Sequence, residues 1–176
     1  MTWKSHSAIA IAVTLPFNPS MLPIAVLGGT APDWMEYILK FFGAMVKHRE
    51  ETHYLYIPLL IIFLSFVIKS DIVFWFGIGY LTHWFADSLT MSGVPISQFD
   101  NHRIHFFGGK IRTGEPIEYV IAFGFLAVSI MITNPVLNLL EDKKQQFNPY
   151  FVDYKELYKK KIIDEKTMKE NRFKLF

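Results

Sequence analysis

The sequence contains no cysteine, little charge and few glycines, and each of these absences excludes a class of protein. Without cysteine the chain cannot form disulfides, and a zinc site would have to use histidine and carboxylate ligands. A charged fraction of 19% argues against disorder, and ten Gly beside 17 Phe exclude collagen-like and low-complexity chains. A net charge of +2 is too small to indicate a nucleic-acid partner, so none is expected. A length of 176 residues suits one folded domain.

The charged residues that are present are concentrated at the C-terminal end of the chain. Residues 141–176 hold ten of the 18 Lys and Arg and seven of the 16 Asp and Glu. Residues 1–140 are therefore more apolar than the chain average. This division predicts a membrane-embedded helical domain over residues 1–140 and a basic polar tail over residues 141–176.

Apolar runs, interrupted by prolines, glycines and charges, predict an all-α, polytopic helical membrane protein with short spans and a polar helical C-terminal tail. The expected helices are 7–17, 21–29, 34–46, 54–68, 72–86 and 118–140. The second should end at Gly28 and Gly29, and the third is amphipathic, as helices at a membrane surface are. The spans are at the short end of the range around 20 residues that a membrane helix needs. A soluble protein with buried helices would show similar runs.

The order of these helices predicts that polar residues from distant parts of the sequence meet at one end of the domain. The apolar run that ends before residue 69 would cross the membrane, the chain would turn at residues 69–71, and the next run would return. Residues at the start of the first run and at the end of the second would therefore lie on the same side. Eight acids and histidines are expected there. They are His6, Asp33, Glu36, His48, His53, His83, Asp87 and Glu118.

His83 and Asp87 are the strongest pair in this set. They are four residues apart on one predicted helix, so both project from the same face and can bind one metal ion. The remaining acids and histidines could complete one or two ligand sets. Histidine and carboxylate ligands suit zinc or another first-row divalent ion, which would activate a bound water at neutral pH. Ionisable residues in a membrane segment are costly and are functional candidates for that reason.

Each residue alone also has an ordinary structural interpretation. His83 could be a hydrogen-bonded core residue, and His48 could belong to the solvated charged run around it. Asp33 could cap a turn, and Glu118 could stabilise the N-terminus of its helix. The metal hypothesis therefore depends on the whole set. His102 and His105, in the loop predicted for residues 93–113, are not expected to be ligands.

Five motifs occur in order between residues 2 and 123. They are TWKSH at 2–6, GTAPD at 29–33, HREETH at 48–53, GYLTHWFADSLT at 79–90 followed by GVP at 93–95, and IRTG at 111–114 followed by Glu118. The third is similar to an HRxxTH signature. Together the motifs resemble the YdjM-like family of membrane-bound, metal-dependent hydrolases.

The resemblance implies a helical membrane hydrolase whose metal ligands are drawn from seven residues. These are His6, Asp33, His48, His53, His83, Asp87 and Glu118. The family often has a second Asp two residues after Asp33 and a His one residue later, whereas this chain has Met35 and Glu36. Either Glu36 replaces a ligand or one metal position is lost. The ligand order is also similar to that of zinc-dependent phospholipase C, which suggests phosphoester or lipid hydrolysis.

The expected function is metal-assisted hydrolysis of a phosphoester, using one or two divalent ions, with zinc favoured. Glu36 or Glu118 would bind metal or act as a general base. Arg49 and Arg112 are candidate phosphate clamps, because a guanidinium binds phosphate through two parallel hydrogen bonds. The alternative for both arginines is that they anchor the protein at the membrane interface.

A site at the ends of the spans would lie near lipid head groups. The expected partners are therefore membrane lipid and a small-molecule or lipid phosphoester substrate, and the expected location is a bacterial inner membrane. Two other functions fit the same residues. One is a non-enzymatic membrane scaffold or partner-binding protein that retains the family fold, and the other is a divalent-metal transporter or sensor.

Overall fold

The computed structural model describes residues 1–47, 49–99, 102–141, 158–162 and 164–166, and the chain divides into two compact units, Met1–Leu140 and Glu141–Phe176. The described part is mostly helical, as the sequence predicts. Its α-helices are α1 (Trp3–Thr14), α2 (Leu22–Phe41), α3 (Tyr56–Ile68), α4 (Asp71–Ser88) and α5 (Pro116–Glu141). Short 3-10 turns occupy Pro19–Met21 and Phe106–Gly108.

The expectation of two separate helices at 21–29 and 34–46 is wrong. One helix, α2, runs through Gly28, Gly29 and Pro32 and ends at Phe41. Pro32 has no N–H to donate to the carbonyl of Gly28, but one missing hydrogen bond does not end a helix that packs along two neighbours. The predicted loop at 93–113 also contains a small hairpin, in which β1 (Val94–Pro95) pairs antiparallel with β2 (Arg103–Ile104).

Close contact between α2 and α4 organises the unit. Gly28 faces the backbone of Phe76, and Gly79 faces the backbone of Ala25, so closely that a Cβ at either glycine would overlap the facing carbonyl group. Glycine therefore lets the two helix backbones approach each other. α1 packs against both helices, and α3 packs against α4. A buried apolar cluster joins α1, α4 and α5, with members Met1, Ala8, Ile9, Ala86, Leu89, Ile111 and Ala122.

Within the described residues, one stretch is long and apolar enough to cross a membrane, Pro116–Thr133 in α5. The helix α3 is apolar but has 13 residues. At about 1.5 Å per residue it extends about 20 Å, less than the roughly 30 Å of a bilayer core. The surfaces of α3 and α5 expose many large apolar side chains, including Leu60, Phe63, Val120 and Met131.

Candidate metal centre

Two buried histidines face each other at the centre of the helical unit. His53 lies in the segment before α3, and His83 lies on α4. Their Nε2 atoms are 3.1 Å apart. The Nδ1 atom of His83 lies 2.8 Å from the carbonyl oxygen of Gly29, and Nδ1 of His53 lies 2.9 Å from Oγ1 of Thr52. Oxygen partners at Nδ1 orient both rings and direct both Nε2 atoms into the same space.

Two carboxylates from α2 and α4 point at the same nitrogens. Oδ1 of Asp33 lies 3.6 Å from Nε2 of His53 and 3.7 Å from Nε2 of His83. Oδ2 of Asp87 lies 3.8 Å and 3.6 Å from the same two atoms. The structure therefore brings together four side chains that are separated by up to 54 residues, as between Asp33 and Asp87.

The distance between the two Nε2 atoms, and the distances from each carboxylate oxygen to both of them, are in the range expected for ligands that share an ion. Ligand atoms about 2.0–2.1 Å from a tetrahedral zinc ion are about 3.3–3.4 Å from one another. The five distances given above range from 3.1 to 3.8 Å. The group of Asp33, His53 and His83 and the group of His6, His83 and Asp87 each have ligand atoms within 4.8 Å of one another. The donor set, two imidazoles and two carboxylates, suits zinc and other first-row divalent ions.

His6 adds a third imidazole beside this set. Its ring stacks on His83 with centroids 3.7 Å apart, and its Nε2 atom lies 3.4 Å from Oδ1 of Asp87. The side chain is fully buried, and within the described part of the chain neither ring nitrogen has a hydrogen-bond partner. A buried polar atom without a partner is unusual in a folded protein and fits a ligand position.

The protonation states also suit metal binding. Burial lowers the pKa of His53, so the ring is neutral near pH 7 and Nε2 can donate a lone pair. Burial alone would raise the pKa of Asp33, but the hydrogen bond with His53 and the nearby imidazoles lower it to about 2. Asp33 is therefore a carboxylate at neutral pH, as a metal ligand must be.

Arg49 approaches the set from the segment between α2 and α3. Its Nε lies 3.2 Å from Oδ2 of Asp87, its Nη1 donates to Oγ1 of Thr90 at 3.0 Å, and its Nη2 donates to Oγ1 of Thr113 at 3.4 Å. Arg49 is buried and has a φ of 59°, a left-handed conformation that costs energy in a bulky residue. Oδ1 of Asp87 is also contacted by the amino group of Met1.

Glu118 has a different environment from the other predicted ligands. Its Oε1 accepts hydrogen bonds from Thr2 N at 2.6 Å, Thr2 Oγ1 at 2.7 Å and Ser5 Oγ at 2.5 Å. Its Oε2 accepts from Gly114 N at 2.7 Å. Four donors on one buried carboxylate connect the start of α1 to the start of α5.

A cleft of about 160 Å³ lies beside the metal-ligand candidates. Its walls include Asp33 and Arg49 together with Glu36, which is buried and forms an ion pair with Lys40 at 2.5 Å. The remaining lining residues are Met1, Trp3, Tyr37 and Thr113. The Glu36 carboxylate, the Arg49 guanidinium and one metal-ligand candidate, Asp33, therefore border one small space.

The other predicted residues lie elsewhere or outside the described residues. The side chain of Arg112 is 70% exposed and lies 4.0 Å from Glu115, so it does not join the cleft. His48 lies outside the described residues. His102 is exposed, and Nδ1 of His105 lies 3.3 Å from the carbonyl oxygen of Thr90.

Sequence reasoning missed the residues that hold the ligands in position. Tyr80 donates from its hydroxyl to the carbonyl of Thr52 at 2.5 Å, and Thr52 contacts His53. Thr90 and the carbonyl of Gly29 support Arg49 and His83. All of them lie within the motifs that also contain the candidate ligands. This nearness in sequence is the signal by which these supporting residues could have been found.

A family described as YdjM inner membrane protein matches residues 1–136 of this chain. No curated protein and no solved structure matches it.

Proposed function

The chain belongs to the YdjM inner membrane protein family, and we propose that in this membrane it acts as a metal-dependent hydrolase of phosphoesters. It is an integral inner membrane protein, consistent with the apolar stretch Pro116–Thr133. A polytopic arrangement, with further helices inserted beside α5, is part of the proposal. The exposed apolar surface of α3 supports it, because such a large apolar surface is unfavourable in water.

The observation that carries the proposal is the spacing of His53, His83, Asp33 and Asp87. Five distances of 3.1–3.8 Å, between the two Nε2 atoms and from each carboxylate oxygen to both, support shared coordination of a metal, and Asp33, His53 and His83 form one candidate ligand group while His6, His83 and Asp87 form another. A structural core would not need four ionisable side chains from three separate segments in van der Waals contact. A bound divalent ion would lower the pKa of a water molecule to about 7 and so provide a nucleophile.

The chain's own residues have complementary roles at the cleft. Arg49 is held by Thr90, Thr113 and Asp87, so its guanidinium is oriented before a substrate arrives and can bind phosphate oxygens. Glu36 lines the same cleft and is the candidate proton acceptor. Glu118 is the candidate positioning residue, because all of its described contacts tie the segment before His6 to α5.

Metal analysis of the purified protein is the first test. We expect wild type to retain a divalent ion, zinc in particular, and His83→Ala to lose it. His105→Ala is the matched control, because His105 contacts a backbone carbonyl outside the ligand set. Full metal content in His83→Ala, or none in wild type, would contradict the metal site and favour a non-enzymatic scaffold.

Hydrolysis assays separate an enzyme from a metal carrier. Wild type should release phosphate from phosphoester substrates, and Asp87→Asn should not. Asp71→Asn is the control, since Asp71 lies in the first turn of the same helix, sixteen residues and more than four turns from Asp87. A protein that holds metal but hydrolyses no phosphoester would be a metal transporter or sensor instead.

A further inference from the structure

The helix α5 sets the level of the cleft relative to the membrane. Its apolar stretch begins at Pro116, and Glu118, in its first turn, accepts hydrogen bonds from Thr2 and Ser5. Trp3 lies between those two residues in sequence and lines the cleft. If α5 crosses the bilayer from Pro116, Trp3 lies at the level where the span begins, which is the level of the lipid head groups.

Aromatic side chains at the edge of the cleft have the character of a membrane interface. Trp3 is 51% exposed and Tyr37 is 66% exposed, although both line the cleft. Trp and Tyr are enriched at head-group level because each combines an apolar ring with a polar group.

The exposed apolar surface continues from Tyr37 along the end of α2. Phe41 is one helical turn further and 85% exposed, and Phe42 is 79% exposed. We call Trp3, Tyr37, Phe41 and Phe42 the membrane rim. A patch of large exposed rings beside a polar cleft fits a ligand with a charged head and an apolar body.

We propose that the cleft opens sideways into the bilayer at the membrane rim and takes the phosphorylated head group of a lipid. The head group reaches Arg49 and Asp33, the metal-ligand candidate in the wall of the cleft, and the acyl chains lie along Tyr37 and Phe41. This inference rests on the proposed hydrolase function and specifies its substrate as a membrane lipid rather than a soluble phosphoester.

The chain has no cysteine, so single labels test the position of the membrane rim directly. Phe41→Cys is labelled with bimane and reconstituted into vesicles of phosphatidylcholine and phosphatidylglycerol, with or without brominated acyl chains. Val120→Cys, on the exposed apolar surface of α5, is the lipid-facing reference, and Lys110→Cys, in an exposed loop, is the polar reference. We expect brominated lipid to quench the labels at 41 and 120 by roughly half or more and to leave the label at 110 unquenched. A label at 41 that behaves like the one at 110 would overturn the proposal, as would an unquenched label at 120, because α5 would then not be the span.

The dependence of hydrolysis on acyl-chain length tests whether the substrate is a membrane lipid. Dioleoyl phosphatidic acid in vesicles is compared with water-soluble dihexanoyl phosphatidic acid. Phe41→Ser should raise KM for the vesicle substrate roughly fivefold, because apolar contact is lost, and should raise KM for the soluble substrate less, because its six-carbon chains make less of that contact. Equal effects on both substrates would contradict entry from the bilayer. Hydrolysis of neither substrate by wild type would contradict the hydrolase function, while the quenching result still decides the position of the membrane rim.

Discussion

The imidazoles of His53 and His83 meet through their Nε2 atoms at 3.1 Å. Nδ1 of His83 must donate to the carbonyl of Gly29, so Nε2 of His83 carries a lone pair directed at the neighbouring ring. If Oγ1 of Thr52 accepts a hydrogen bond from the N–H at Nδ1 of His53, the two lone pairs face each other and only a cation between them is favourable. The hydroxyl of Thr52 therefore influences how strongly the pair binds metal.

Replacing Thr52 with Val should weaken metal binding without removing a ligand. The variant loses the oxygen 2.9 Å from Nδ1 of His53, and loss of such a supporting hydrogen bond typically costs about 10- to 100-fold in metal affinity. Isothermal titration of the metal-free protein with zinc measures this. Thr133→Val is the control, because Thr133 bonds to a backbone carbonyl within α5. Equal zinc affinities for Thr52→Val and wild type would show that the hydroxyl does not orient the ring.

The glycine contact between α2 and α4 predicts opposite effects of two similar substitutions. Gly79→Ala places a methyl group against the carbonyl of Ala25, and such overpacking costs about 1–3 kcal/mol in the free energy of unfolding. Gly124→Ala in α5 has open space around it and should stabilise its helix by up to about 1 kcal/mol. Thermal unfolding in detergent checks both. A Gly79→Ala variant as stable as wild type would contradict the close backbone approach.

Glu118→Gln separates a positioning role from a ligand role. The amide nitrogen of Gln would face one of the N–H or O–H donors that now bond to the carboxylate, at a cost of about 1–3 kcal/mol in stability. We expect a lower unfolding temperature but an unchanged metal content per folded molecule, measured by elemental analysis. Glu115→Gln, with a half-exposed side chain, should change neither. Loss of metal from folded Glu118→Gln would instead identify Glu118 as a ligand.

Arg49 and Arg112 should respond differently to replacement by Lys. Lys cannot reproduce the forked contacts of Arg49 with Thr90, Thr113 and Asp87, so the phosphate-binding group would lose its orientation. We expect Arg49→Lys to weaken the affinity for inorganic phosphate about tenfold and Arg112→Lys to leave it unchanged. Competition by phosphate in the hydrolysis assay, or phosphate titration of metal-loaded protein, measures the difference. An equal loss in both variants would contradict the assignment of Arg49 as the clamp.

The helical class and the pairing of His83 with Asp87 could be predicted from the sequence, because both depend on local features. Apolar runs of helical length identify the helices, and His83 and Asp87 are four residues apart on one of them. The division of α2 into two helices was wrong because the local signals of Gly28, Gly29 and Pro32 are weaker than packing along the whole length of the helix. Predictions from local sequence treat these residues as the end of a helix, because they do not include the neighbouring helices that pack against α2.

The residue types in the chain already determine which chemistry is available: imidazoles, carboxylates and guanidinium groups, with no thiol. Which of these groups share a centre depends on contacts between segments far apart in sequence. The close approach of α2 to α4 brings Asp33 near His83, while Glu118 bonds to Thr2 and Ser5 and Arg112 extends to the surface. Spacing along the chain specifies neighbours on one helix, but distances between helices depend on how their surfaces fit together, and these surfaces exist only in the folded protein.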